Sequence, residues 1–206
     1  MEQIQNNRVI TDLYRENAQF PGIALDGSDV YLCWQRFVDR HDSLMASCRR
    51  GDEVVWEREI SDGGEVLHPV ILAHGGAIWY AWSEYARENW RILARCYRDG
   101  QWGEVLTVAS GEALFFPRLF TWQGKLHVIW TEQHKGSAAA VLCPLTEAGP
   151  GAAETVSAVG EAYRAGAAEG GDGNLYVAYD GFDGKQYKLF ARARTAAGWS
   201  KEIVVS

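Results

Sequence analysis

Two glutamates, Glu84 and Glu132, each stand two residues after a tryptophan, Trp82 and Trp130. A pair of carboxylates held about 5–10 Å apart can cleave a glycosidic bond, one donating a proton to the leaving oxygen while the other serves as base or nucleophile. Matching positions on neighbouring repeats can reach that separation across a narrow channel. The competing reading has the same acids capping turns or pairing with arginines such as Arg91 and Arg95. His68 occupies a place held elsewhere by Phe20 and Phe116, which makes it either an aromatic-like packing residue or a catalytic imidazole. Arg118, directly after Pro117, interrupts a mostly apolar stretch, and an arginine there can bind an anion or a carboxylate. Arg87 and Trp90 share one loop, where an exposed indole can stack on a sugar or a protein side chain. Arg36, His41 and Asp180 complete the candidate ligand-binding set, with Arg40, His134 and Asp183 on the same side.

Other chemistries find no matching pattern. The five histidines show no metal-ligand spacing, and the four cysteines form no Cys-x-x-Cys pair. The stretch DGFDGK, residues 180–185, spaces its acids like a calcium loop but lacks the alternating oxygen ligands of an EF-hand, so it reads as a tight turn. There is no phosphate-cradling glycine loop and no Gly-x-Ser-x-Gly elbow. No metal or cofactor is expected.

The elements that must position these side chains come from a repeat. FPGIALDGSDVYLCWQRF, HPVILAHGGAIWYAWSEY and FPRLFTWQGKLHVIWTEQ align without a gap, with Pro21, Pro69 and Pro117 recurring at a 48-residue step. Trp34, Trp82 and Trp130 keep that step, and a fourth copy carries Tyr179 in the tryptophan's place. Short β-branched and aromatic runs (VYLCW, IWYAW, LHVIW, LYVAY) follow turn signals such as Gly75-Gly76, which is strand periodicity. Each unit then supplies a third strand and a fourth, and four short antiparallel strands per unit predict the blades of an all-β propeller. The blades fall at 18–61, 66–110, 114–158 and 162–206 in one domain, and NRVIT, within a lead-in at 7–17, reads as an orphan outer strand. Cys48, Cys96 and Cys143 share one third-strand position and read as small buried hydrophobes.

VYLCWQRFVDRHDSLMASCRRGDEVVW and IWYAWSEYARENWRILARCYRDGQW resemble blades of the sialidase-type, or BNR-like, β-propellers. Of that family's Asp-box only the end survives, as Gly100-Gln101-Trp102 and Gly198-Trp199, and its arginine triad and tyrosine nucleophile have no matching set here. The resemblance implies the propeller architecture.

Composition excludes several partners. The 206 residues are 47% hydrophobic and 23% charged, the profile of a globular chain, and the net charge of -7 with no basic run longer than Arg49-Arg50 argues against nucleic acid. No apolar window approaches the ~20 residues of a membrane helix, so no membrane partner is expected. The polar N-terminus gives a cytoplasmic expectation, or a secreted one if a leader has been trimmed. The expected function is a non-catalytic binding module that recognises a glycan or protein at the channel face. The alternatives are a sialidase-like glycoside hydrolase or lyase, and an interaction scaffold completed by homo-oligomerisation through its open blade edges.

Overall fold

The computed structural model describes residues 17–61, 63–158 and 160–206, and the strand expected at NRVIT lies outside them. Blade 1 is a four-stranded antiparallel meander of β1 (Asn17–Asp26), β2 (Asp29–Val38), β3 (His41–Arg50) and β4 (Glu53–Glu59). Blade 2 comprises β5 (Glu65–His74), β6 (Ala77–Ala86), β7 (Asn89–Arg98), β8 (Gln101–Trp102) and β9 (Leu106–Gly111). Blade 3 follows with β10 (Ala113–Trp122), β11 (Lys125–His134), β12 (Ser137–Thr146), β13 (Gly149–Pro150) and β14 (Glu154–Thr155). Blade 4 has β15 (Ala162–Glu169), β16 (Leu175–Phe182), β17 (Tyr187–Thr195), β18 (Gly198–Trp199) and β19 (Ile203–Val204).

The expected fourth strand is therefore continuous only in blade 1; in the other three it is two short pieces pairing with the same third strand. The break has a local cause. Gly103 and Gly151 donate their N–H groups to Cys96 and Pro144, at 2.9 and 2.8 Å, and sit tight against those residues. A Cβ on Gly103 would lie 2.9 Å from the Cys96 sulfur, and one on Gly151 2.6 Å from the Pro144 ring. Blade 1 absorbs the same irregularity as a bulge between Cys48 and Arg49, where pairing passes from Trp56 to Val54.

Alternation along the second strands divides the core into interblade layers. On β6, Ile78, Tyr80 and Trp82 pack toward blade 1 with Tyr31, Cys33 and Leu44, while Ala77, Trp79 and Ala81 pack toward blade 3 with Leu126 and Leu145. Trp130 and Tyr179 repeat the role of Trp82 one and two blades later, and all three are at most 1% exposed. Each lies opposite a two-residue bulge in the first strand of its own blade, between Leu67 and Val70, Phe115 and Arg118, or Tyr163 and Gly166. Trp34 stands opposite the corresponding bulge of β1, between Gln19 and Gly22.

The first strands pack in series, β1 on β5, β5 on β10 and β10 on β15, and among the described residues no comparable packing returns from β15 to β1. The two end blades accordingly leave apolar side chains in solvent: Ile23 and Leu25 on β1, Tyr176 on β16, and Tyr187, Leu189 and Ile203 on the outer part of blade 4.

All four cysteines are free and buried. Burial pushes the Cys33 thiol up to about 12 and that of Cys143 up to about 11, so at pH 8 both stay protonated and weakly nucleophilic. Titration with a thiol reagent at pH 8 is expected to give almost no signal from the native protein and all four thiols after denaturation; rapid native labelling would contradict this packing.

Candidate functional site

The bulges place one residue per blade at the axis in a left-handed conformation. Phe20, His68, Phe116 and Arg164 have φ of 51°, 53°, 55° and 45°, values that cost an L-residue with a bulky side chain roughly 1–2 kcal/mol. Their side chains meet in series: the rings of Phe20 and His68 are 5.3 Å apart and those of His68 and Phe116 4.3 Å apart. His68 Nδ1 is buried without a hydrogen-bond partner. Burial, reinforced by the positive charge of Arg118, lowers the imidazole pKa, so His68 is held neutral near pH 7.

Arg164 breaks the aromatic series and builds a second feature. Its guanidinium grips the Asp180 carboxylate bidentately, Nη2 donating to Oδ2 at 2.6 Å and Nε to Oδ1 at 3.1 Å. Its backbone N–H donates to Thr131 Oγ1 of blade 3 at 3.2 Å, which anchors the bulge to the neighbouring blade. Phe116, Tyr163, Arg164, Asp180 and Tyr187 line a cleft of about 230 Å³. The Tyr163 phenol pKa is raised, first by burial and then by Glu161, Tyr187 and Asp180. Asp180 lines this cleft opposite Tyr163, and Glu161 precedes Tyr163 by two residues on the chain.

The other expected residues are placed differently. Glu84 is fully buried; Trp82 Nε1 donates to its Oε2 at 3.1 Å, and Arg91 Nη2 donates to its Oε1. The competing expectation of an acid paired with a third-strand arginine describes Glu84 well. Glu132, at the matching position of blade 3, makes no hydrogen bond among the described residues and lines a different, open cleft of about 660 Å³ with His134, Lys135, Ser137 and Thr155. Arg36 pairs with Glu59 at 3.3 Å, and His41 Nδ1 lies 3.9 Å from Glu65 Oε1. Trp90 is wedged between Tyr85 and Phe115, at ring separations of 5.3 and 4.6 Å, while Arg87 sits exposed in the turn beside it. The Arg87–Glu88 turn takes positive φ at both residues, the geometry that matches strand twist in a two-residue hairpin. Asp183 accepts the N–H groups of Lys185 and Gln186 and pairs with Lys188 at 2.6 Å, so its oxygens serve the turn. The structure thus brings Asp180 into the cleft and puts His68 and Arg118 within electrostatic reach of each other.

Sequence reasoning missed Glu161, Tyr163, Arg164 and Tyr187. The signal was present for one of them: Arg164 occupies the position of Phe20, His68 and Phe116, one step further along the repeat.

No known family profile matches the chain, and no curated protein is similar to it in sequence. Its fold is that of propeller enzymes. An α-L-arabinofuranosidase from Lactobacillus brevis superposes with a TM-score of 0.59 at 11% identity, over 91% of this chain and 73% of that one. A mannose phosphorylase from Leishmania mexicana, solved with a phosphate ion, gives 0.61 at 10% identity over 93% and 69%. A xylan β-1,4-xylosidase from Bacillus halodurans gives 0.55 at 14% identity over 89% of this chain but 41% of its own. Several further glycoside hydrolases, a thermostable family-43 enzyme and a family 117 enzyme among them, share the fold at about the same similarity. The expectation of a non-catalytic binding module is overturned by this finding, because the similar chains are catalysts of glycan cleavage rather than binding modules.

The contrast between the two matched glutamates gives a direct check. Arg91→Met leaves the buried Glu84 charge uncompensated and is expected to lower stability by about 3 kcal/mol, whereas Glu132→Gln is expected to stay within about 0.5 kcal/mol. Urea unfolding of the two variants measures the difference; equal effects would contradict the assignment.

Proposed function

We propose that the chain is a glycan-processing enzyme of the glycoside hydrolase class, acting in the cleft at the axial end of blade 4. The observation that carries this reading is Asp180, held by Arg164 and paired across the strands with Tyr163 in an aromatic-lined cleft, with Glu161 two residues before Tyr163 on the chain. Asp180, held by the two hydrogen bonds from Arg164, serves as base or nucleophile. Glu161 donates the proton to the departing glycosidic oxygen. Phe116, Tyr163 and Tyr187 offer ring faces on which a sugar stacks. The names of the similar propellers, an arabinofuranosidase and a xylosidase among them, favour the same class of substrate. Kinship of the repeat with sialidase-type blades is compatible with it and belongs to this proposal.

A panel of aryl glycosides tests the reading. The protein is expected to hydrolyse at least one, and Asp180→Asn and Glu161→Gln are each expected to lower kcat by about 10²-fold or more while leaving the circular dichroism spectrum unchanged. Absence of turnover across the panel, or full activity in both variants, would overturn it.

A further inference from the structure

Blades 2 and 3 carry the same polar constellation, complete in one and broken in the other. In blade 2 the Trp82 indole N–H donates to Glu84, and Arg91, the cross-strand partner of Glu84, donates to the same carboxylate. Blade 3 keeps the first two members as Trp130 and Glu132, but the residue paired across the strands with Glu132 is Ala139. The loss of the arginine belongs to a wider truncation: Trp90, Arg91 and Ile92 of β7 are replaced on β12 by Ala138, Ala139 and Ala140. Both remaining members are left idle. Among the described residues Glu132 makes no hydrogen bond or ion pair, and Trp130 Nε1 is buried without a partner. Blade 1 differs, because Arg36 stands at the position of the acid and the unpaired Trp34 indole has no carboxylate there to meet. Blade 4 satisfies its wedge residue, the Tyr179 hydroxyl donating to Glu202.

The truncation also opens space. Glu132, Ala138 and Ala139 form one wall of the cleft of about 660 Å³, beside the hydroxyls of Ser137 and Thr155. The other charged groups of the cleft leave Glu132 unneutralised: His134 turns its Nδ1 to Glu112 Oε2 at 3.1 Å, and Lys135 is exposed and forms no ion pair among the described residues. A half-buried carboxylate that lacks the cation its counterpart possesses favours a positive group bringing N–H donors from solution. Among the described residues no three metal-ligating side chains come together, which fits the site to an organic cation. We propose that this cleft is a subsite for a guanidinium or primary ammonium group, seated where the Arg91 guanidinium lies in blade 2. One N–H donates to Glu132 and the others to the hydroxyls of Ser137 and Thr155. Glu132, drawn into the pose of Glu84, then accepts the Trp130 indole N–H, so that one ligand satisfies both idle groups.

The subsite rests on blade 3 alone and is read by binding, independently of turnover in the cleft of blade 4. Methylguanidinium chloride is titrated into the wild-type protein and followed by the sequentially assigned indole ¹H–¹⁵N resonance of Trp130. Tetramethylammonium chloride at equal ionic strength is the control, since it carries the charge without an N–H donor. Saturable displacement of the Trp130 resonance by methylguanidinium, and none by tetramethylammonium, is expected. Arginine amide and glucosamine are separate arms: tighter binding of the first identifies a peptide side chain as the source of the cation, and tighter binding of the second an amino sugar. Glu132→Gln is expected to weaken methylguanidinium binding at least tenfold. Ala139→Arg, which copies blade 2 and supplies the cation from within, is expected to weaken it as much and to move the Trp130 resonance toward its ligand-bound position with no ligand added. Thermal melts confirm that both variants fold. No saturable displacement in the wild type, or affinity unchanged in both variants, would overturn the subsite whether or not the protein hydrolyses glycosides. Cation binding retained in Asp180→Asn would separate it from the cleft of blade 4.

Discussion

One pairing recurs in every blade and fixes what surrounds it: an aromatic residue of the second strand set against a two-residue bulge of the first. The aromatic needs depth, because Trp82, Trp130 and Tyr179 are each driven into the layer between two blades. The bulge supplies a local twist and an extra residue, and that residue is turned toward the axis with a left-handed backbone. Packing at the outer face of the first strand and chemistry at its inner face are therefore two ends of one device. Loss of the wedge would relax the bulge and scatter the axial side chains.

The same device explains why the axis can carry different groups at little structural cost. Phe20, His68, Phe116 and Arg164 share the left-handed backbone and belong to none of the buried clusters between blades. The aromatic members satisfy one another, whereas Arg164 reaches sideways to Asp180 and creates a polar corner on blade 4. Tyr187, largely exposed, lines the same cleft.

Much of the fold was legible in the sequence because propeller packing repeats. Proline and tryptophan recur at a constant step since every blade must solve the same wedge-and-bulge problem, and alternation within VYLCW or IWYAW reports two buried faces. The split of the outer strands was not legible. It depends on the close approach of Gly103 to Cys96 and of Gly151 to Pro144, and Ser200 makes the equivalent bond to Ala193 with a different residue type. The site was only partly legible for a related reason. Glu84 and Glu132 look alike in an alignment, yet one pairs with Arg91 and accepts the Trp82 indole N–H while the other is open to a cleft. Recurrence marks what packing requires, and departures from it mark what packing leaves free, as Arg164 does in the series with Phe20, His68 and Phe116.

The central claim is that the reacting carboxylates are those of blade 4, and affinity labelling tests it most directly. An epoxyalkyl glycoside of the sugar the protein prefers esterifies carboxylates that sit against the bound ring, and peptide mass mapping locates the ester. The account predicts modification of Asp180 or Glu161, suppressed by excess free sugar. Modification of Glu132 or Glu84 instead, protected in the same way, would contradict it.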